Sequence, residues 1–265
     1  MRHKEMMAIG TGVSFADTHI HSNFSDGVST IKQILDTVER RENISVIAIT
    51  DHNTIKGAYF AASLSDYYSF DIIVGEEIMT TDGEIIGLFL NEEIRPGLSA
   101  VETIYRIHEQ GGLAIAPHPF VIQLGDMGGR GLWWKTAHCD LDGFERMSGN
   151  PLLGYNNLMA AYFFSRLGLA CHAGSDAHMA STVGSVVTVF EGRGAEDFRR
   201  AVIERKIRPI RVAKTRCQLL AYSGTVLKII KSQQSMQWMH RSWSHTGRSV
   251  RQSPVRYWKY WMMGK

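Results

Sequence analysis

Asp17-Thr18-His19-Ile20-His21-Ser22-Asn23-Phe24-Ser25-Asp26-Gly27 sets one carboxylate and two imidazoles at alternate positions, then turns through Ser-Asp-Gly. If residues 15–21 form a strand, Asp17, His19 and His21 leave the same face, because strand side chains alternate with period 2. Three such groups on a buried face need a compensating charge, since burying unpaired polar groups is costly. A divalent cation supplies one. A lone His-x-His also fits an exposed polar strand face, so the rest of the chain decides.

Working outward, residues 28–40 carry Ile31, Ile34, Leu35 and Val38 at helical spacing, with Ser29 or Thr30 as N-cap. Residues 46–50 are apolar and partly β-branched, the pattern of a strand buried on both faces of a parallel sheet. That run ends in Asp51-His52-Asn53. The same grammar recurs downstream. A helix is expected over 55–67, a short buried strand over 71–74 ending in Gly75-Glu76-Glu77, and a strand over 84–90 with Glu84 at its start. A helix over 99–110 has Val101, Ile104, Tyr105 and His108 on one stripe and stops at Gly111-Gly112. A strand over 113–116 then runs into Pro117-His118-Pro119-Phe120.

Residues 123–140 hold four glycines and Trp133-Trp134 and read as a long functional loop or lid. A strand over 141–145 ends in Glu145, an apolar helix covers 156–167, and a strand over 170–173 leads to Gly174-Ser175-Asp176-Ala177-His178. A strand over 183–190 and an amphipathic helix over 195–204 follow. Alternating strands and helices predict an α/β barrel or a doubly wound sheet. Polar residues collect at the carboxyl ends of the strands, where (β/α) barrels assemble their active sites.

The chain has 265 residues, 44% hydrophobic and 21% charged, as in ordinary globular proteins. Its net charge of +3 hides an asymmetry. Residues 211–265 contain eleven Lys plus Arg and no acid, which leaves residues 1–210 near −8 and suited to cation binding. Cys139, Cys171 and Cys217 are dispersed, which fits a reducing compartment and excludes a disulfide scaffold or zinc ribbon. No signal-peptide core and no run of roughly 20 apolar residues is present, so a soluble cytoplasmic protein is expected. Gly-x-Ser-x-Gly and a Gly-rich P-loop are also absent, which argues against serine acyl transfer and Walker-type hydrolysis.

The candidate metal ligands are His19, His21, Asp26, His52, Glu77, His118, Asp176 and His178. In order, His-x-His, Ser-Asp-Gly, Thr-Asp-His, Gly-x-Glu, His-Pro-Phe and Gly-Ser-Asp-Ala-His resemble the PHP (polymerase and histidinol phosphatase) family, over residues 15 to about 210. Within it they are most similar to the nucleotide phosphoesterase branch. The resemblance implies a distorted (β/α)7 TIM-like barrel with two or three metal ions at the strand ends. His19 and His21 match the first pair, Asp26 the Asp of Ser-Asp-Gly, His52 the Thr-Asp-His imidazole, and Glu77 the bridging carboxylate. His118 matches the central His, and Asp176 and His178 the closing pair. Many relatives carry a further His after Gly-x-Glu; here Glu84 takes that place, and its charge favours Mn²⁺ or Mg²⁺ over Zn²⁺. The inserted domain of many family nucleotide phosphatases has no room between Glu84 and His118.

Clustered His and carboxylate ligands of this kind hold cations close enough to activate a water near neutral pH and to neutralise a phosphate in flight. The resemblance therefore implies a metal-dependent phosphoesterase acting on a phosphomonoester such as a nucleotide or small-metabolite phosphate, with Mn²⁺, Zn²⁺ or Fe²⁺ (or Mg²⁺) as cofactor. Glu77, His118 and Asp176 are the expected catalytic residues. Alternatives are a nuclease guided by the tail and a metal-retaining binding module.

Around this set, Asp17 and Asp51 are expected to orient the adjacent imidazoles or to cap strand ends, and Glu76 to serve as a surface carboxylate, a partner of a group that supports a ligand, or a stand-in for Glu77. Glu145 orients a ligand or pairs with an arginine. Arg130, Lys135 and Arg146 lie where a phosphate clamp could come from, with a solvated loop as the default, while His138, Cys139, Cys171 and His172 read as core or surface residues. The expected domains are a barrel, 1–210, and a basic, aromatic-rich C-terminal extension, 211–265. Its Arg and Lys interleave with Trp238, Trp243, Tyr257, Trp258, Tyr260 and Trp261. Such a segment suits nucleic acid or an anionic membrane surface, or is a plain basic tail.

Overall fold

The computed structural model describes residues 12–41, 43–122, 130–164 and 167–212. These belong to one compact unit, Met1–Leu227, and a second unit, Lys228–Lys265, lies wholly outside them. The expected tail from 213 onward and residues 123–129 of the expected lid also lie outside the described residues.

Nine strands form one sheet: β1 (Val13–Asp17), β2 (Val46–Ile49), β3 (Asp71–Met79), β4 (Glu84–Leu88), β5 (Leu113–Ala116), β6 (Gly143–Ser148), β7 (Ala170–Gly174), β8 (Val186–Glu191) and β9 (Arg208–Arg211). Their order is β7-β6-β5-β4-β3-β2-β1-β8-β9. β1, β2 and β3 run parallel, as do β5, β6 and β7, while β4 is antiparallel to both β3 and β5. Beyond the ends of β1 and β7, Ile20 pairs in parallel with Ala177, and His21 N–H donates to Ala177 O at 2.9 Å. The wall of β1 to β7 is thereby nearly closed at its carboxyl ends, a distorted seven-stranded TIM-like barrel. β8 pairs antiparallel with β1, and its Thr188 hydroxyl bonds the backbone of Ala173 in β7.

The helices are α1 (Ile31–Glu39), α2 (Lys56–Ala62), α3 (Ala100–Glu109), α4 (Gly154–Phe163) and α5 (Ala195–Ile203). α1 starts at a capping box: Thr30 accepts from Gln33 N–H and the Gln33 side chain accepts from Thr30 N–H. Its apolar stripe Ile31, Ile34, Leu35 and Val38 is buried as its spacing predicts. β2 sends Ile47 and Ile49 into one apolar cluster and Val46 and Ala48 into another, hence its unbroken apolar run.

Several expectations need correction. The strand expected at 71–74 continues to Met79 and turns directly into β4 as a hairpin, because Glu76 and Glu77 pair with Gly87 and Ile86. The helix over 55–67 is α2 plus a separate 3-10 turn, Ser65–Tyr67. α4 begins and ends earlier than expected, and β8 begins later. On α3 the buried face is Ala100, Thr103, Ile104 and Ile107, whereas Val101 and Tyr105 are 69% and 55% exposed. The small Ala and Thr side chains bring α3 close to the sheet, and Ile107 packs on Gly87 and Gly112.

Candidate metal centre

The strand ends converge on five imidazoles and four carboxylates. His19 and His21 follow β1, where the chain leaves the ladder; Asp26 comes from the turn after them and His52 follows β2. Glu77 lies on β3, and Glu84 opens β4. Because β4 runs antiparallel, its first residue lies at the same end as the last residues of its neighbours, which brings Glu84 into the cluster. His118 follows β5, and Asp176 and His178 follow β7. His19, His21, Glu77 and Glu84 are buried, as are His118 and Asp176 at 4% and 7% exposure.

Glu77 is the hub. Its Oε2 lies 3.3 Å from His19 Nε2, 3.2 Å from His21 Nε2 and 3.2 Å from His52 Nδ1, and its Oε1 is 3.2 Å from His118 Nε2. Both oxygens are buried and neither accepts a hydrogen bond. His19 Nε2 and His21 Nε2 face each other at 3.0 Å. Glu84 lies 3.8 Å from His52 Nδ1 and 3.9 Å from His118 Nε2. Asp26 Oδ2 is 3.1 Å from His178 Nε2 and 3.7 Å from His52 Nε2, and its Oδ1 is 3.7 Å from His21 Nδ1. Asp176 Oδ1 is 3.6 Å from His21 Nε2 and 3.8 Å from His19 Nε2.

Among the described residues, three sets of potential donors have ligand atoms within 4.8 Å of one another: His21, Asp26, His52 and His178; His19, His21 and Glu77; and His52, Glu77 and Glu84. Buried oxygens without hydrogen bonds, ringed by nitrogens that carry lone pairs, fit divalent cations. The oxygen and imidazole donors suit Mn²⁺, Fe²⁺, Zn²⁺ or Mg²⁺ rather than a thiolate-seeking ion.

The electrostatics agree. Burial opposes charge on Glu77, yet His19 and His52 hold its pKa well below the usual range, and burial of Asp176 is likewise outweighed by His21 and His19. Burial lowers the imidazole pKa values, but the carboxylates overcome it. Glu145 and Glu77 raise His19 well above its ordinary value, Asp176 and Glu77 raise His21 to about 10, and Glu77 raises His118 to about 9. Glu84 moves the other way, raised by burial and by its like-charged neighbour Glu77. Protons and cations therefore compete for the same nitrogens.

His118 and Asp176 have positive φ, 24° and 51°, a backbone strain of order 1–3 kcal/mol each that the surroundings must hold in place. His118 N–H donates to Glu145 Oε2 at 3.0 Å. Asp176 Oδ2 accepts from Asn150 Nδ2 at 3.1 Å, and Asn150 Oδ1 accepts from Leu152 N–H, which fixes the direction of the amide.

Neither Asp17 nor Asp51 orients an imidazole, contrary to expectation. Asp17 accepts from Ser175 N–H and Gly184 N–H, and Asp51 accepts from Ser22 N–H, Ser22 Oγ–H and Ser25 Oγ–H. Each carboxylate holds the loop of the neighbouring strand. Glu145 makes the imidazole contact, with Oε1 2.9 Å from His19 Nδ1, and pairs with no arginine in that contact. Its place at the end of the strand expected over 141–145 was the available signal; Asn150 carried none. Glu76 points away from Glu77, is buried rather than at the surface, and accepts from Ile94 N–H. The expected phosphate clamp does not form among the described residues: Lys135 pairs with Asp82, the Arg130 guanidinium donates to Thr81 O, and Arg146 lies near Cys171. His172 is a buried core residue, as expected.

A barrel with this cluster at its carboxyl end carries donors for divalent cations where such barrels assemble their sites. The PHP domain model matches residues 17–123, and the PHP-associated model residues 154–207. A Methanocaldococcus jannaschii protein is 46% identical over 141 residues, 49% of this chain and 79% of that protein. The chain belongs to the PHP family. It is also 33% identical over 100 residues to a phosphoribosyl 1,2-cyclic phosphate 1,2-diphosphodiesterase of Eggerthella lenta, a match covering 35% of this chain and 37% of that enzyme. Two solved structures share the fold. One is a two-domain protein of Bacteroides vulgatus described as containing a predicted PHP-like metal-dependent phosphoesterase, with TM-score 0.59, 17% identity, and coverage of 75% of this chain and 65% of that chain. The other is PsfC of Pseudomonas syringae, with TM-score 0.56, 19% identity, and coverage of 85% and 100%. Among the described residues no helix is long and apolar enough to cross a membrane.

Proposed function

We propose that the chain is a metal-dependent phosphoesterase that hydrolyses small phosphate esters, foremost phosphomonoesters, within a barrel domain of residues 1–210. The observation that carries this reading is Glu77, a fully buried carboxylate that accepts no hydrogen bond and faces four imidazole nitrogens. In this reading His19, His21, Asp26, His52, Glu77, Glu84, His118, Asp176 and His178 hold two or three cations, with Mn²⁺ and Mg²⁺ favoured by Glu84. Bound divalent cations supply Lewis-acid polarisation of phosphoryl oxygens and a water acidic enough to attack near neutral pH.

The protein's own part is positioning and charge. Glu77 faces His19, His21 and His52 with one oxygen and His118 with the other, and Asp176 faces His19 and His21. Asp26, Glu77, Glu84 and Asp176 bring four negative charges, which two divalent cations neutralise and three exceed. The surplus suits an anionic phosphate at a site where, among the described residues, no Lys or Arg side chain is ion-paired with the ligands; Arg130 meets Glu84 through its backbone N–H.

A phosphodiester or cyclic phosphate is the second reading, favoured by the similarity to the Eggerthella lenta enzyme. The test is metal analysis of the purified full chain, then hydrolysis assays with Mn²⁺ on p-nitrophenyl phosphate, bis-p-nitrophenyl phosphate, nucleotides and short oligonucleotides. Monoester turnover supports the first reading and diester turnover the second. Oligonucleotide cleavage lost on removing residues 238–265 would instead mark a nuclease. No bound metal and no hydrolysis would refute the enzyme.

A further inference from the structure

Asp26 reaches the centre from the Ser22–Gly27 turn, outside any strand, so something must hold that turn. Four backbone bonds shape it: Ser25 N–H and Gly27 N–H both donate to Ser22 O, at 3.2 and 3.0 Å, Asn23 N–H donates to Ser29 O at 3.0 Å, and Val28 N–H donates to His178 O at 2.9 Å. These close the turn and tie its far end to the loop after β7, but leave its near end, Ser22 to Ser25, to be placed. Aim comes from Asp51, fully buried at the end of β2. Its Oδ1 accepts Ser22 N–H at 2.7 Å and Ser25 Oγ–H at 2.6 Å, and its Oδ2 accepts Ser22 Oγ–H at 2.7 Å. Ser22 Oγ in turn accepts from Phe24 N–H at 3.1 Å. Ser25 Oγ stands between the two carboxylates, 2.6 Å from Asp51 Oδ1 and 3.4 Å from Asp26 Oδ1.

Space confines Asp51 as well. A Cβ on Gly57, in the first turn of α2, would collide with Asp51 Oδ2 and meet Ser22 Oγ at 3.0 Å. The carboxylate is thus wedged between a helix that permits only glycine and the turn that it binds.

We infer that Asp51, acting through Ser22 and Ser25, is a positioning residue that fixes Asp26 beside His21, His52 and His178 and so governs cation binding at that corner of the centre. Asp51 touches none of those imidazoles in any of its hydrogen bonds. Its carboxylate is an acceptor for three donors at once, and charge-assisted bonds of this kind are about twice as strong as neutral ones. Loss of the carboxylate leaves the turn its backbone bonds alone, so its near end loosens and Asp26 is no longer fixed, while the Glu77 hub stays assembled. The inference rests on the metal-centre reading above.

The test is Mn²⁺ binding to the full-length protein, by calorimetry and by metal analysis after gel filtration, in wild type, Asp26→Ala, Asp51→Ala, Asp51→Asn and Ser25→Ala. Asp51→Ala is expected to reproduce the ion loss of Asp26→Ala, with affinity at that corner weakened about tenfold or more, while the remaining ions stay bound. Asp51→Asn keeps an acceptor for Ser22 N–H and Ser25 Oγ–H and restores most of the binding. Ser25→Ala, which leaves the Asp51 carboxylate in place, shows an intermediate loss and keeps the test valid if Asp51→Ala does not fold. Wild-type Mn²⁺ binding in Asp51→Ala and Ser25→Ala, with loss in Asp26→Ala, would overturn the inference. Absence of Mn²⁺ from the wild type would overturn the metal-centre reading instead.

Discussion

Changing Glu145 to Gln alters one atom of a buried side chain and leaves its shape, yet the hydrogen bonding forbids a neutral outcome. Glu145 Oε1 lies 2.9 Å from His19 Nδ1, and Oε2 accepts His118 N–H at 3.0 Å. A carboxylate has only acceptors, so His19 keeps its proton on Nδ1 and turns the Nε2 lone pair towards Glu77. An amide has one acceptor. If its NH2 faces His118 N–H, two donors meet in the interior. If it faces His19, the ring must accept at Nδ1 and carry its proton on Nε2, which removes the lone pair from the centre. The first arrangement leaves a buried group unsatisfied, at about 1–3 kcal/mol, and the second takes a lone pair from the cations at a cost taken to be similar. At 1.4 kcal/mol per tenfold, that weakens cation binding by roughly 5- to 150-fold, in line with the 10- to 100-fold typical of groups that orient a metal-binding His. Calorimetric titration of Glu145→Gln with Mn²⁺, alongside kcat/KM on the best substrate, measures it. Binding within twofold of wild type would refute the reasoning. Gly174→Ala should act in the same direction, because its methyl group would collide with Glu145 Oε1 and crowd His19 Cβ.

Other outcomes follow from groups nearby. His172 is buried with neither ring nitrogen hydrogen-bonded, and burial lowers its pKa to about 3 from an ordinary 6.5. The unfolded chain therefore takes up the proton first as pH falls below 6.5, and stability drops by about 1.4 kcal/mol per unit. From pH 7 to pH 5, urea unfolding should show wild type losing about 2 kcal/mol more than His172→Leu; equal losses would sink this account. Glu76 has the opposite sign. Burial raises its pKa to about 8 from 4.5, so its stabilising protonated form is full below pH 4.5 and is lost as pH rises towards 8. Glu76→Gln keeps the acceptor for Ile94 N–H and should raise Tm relative to wild type at pH 8 but not at pH 4.5, by thermal melts at both. Glu84→His removes one negative charge beside Glu77 and adds a softer donor, so Zn²⁺ should gain on Mn²⁺ in competition binding by about tenfold; an unchanged preference would show that Glu84 holds no cation.

Much of this was legible in the sequence. Period-2 and period-3.6 patterns report which faces are buried, and these located α1, β2 and the alternation of strands with helices, since burial of apolar side chains is decided within a few residues. The motifs His-x-His, Thr-Asp-His, Gly-x-Glu and Gly-Ser-Asp-Ala-His likewise marked the chemistry-bearing residues that the fold brings together. Directions and pairings across the sheet were not legible. Glu84 looked misplaced at the start of its strand until β4 proved antiparallel, because strand polarity depends on the partner strands. Asp17 and Asp51 stand next to histidines in the chain but bond to loops of other strands, as Asp51 does with Ser22, twenty-nine residues earlier. Sequence adjacency places a side chain within one strand; a hydrogen bond requires two groups within about 3 Å, and pairing of neighbouring strands brings Asp51 and Asn150 that close to their partners, while for Glu145 and His19 it takes closure of the barrel.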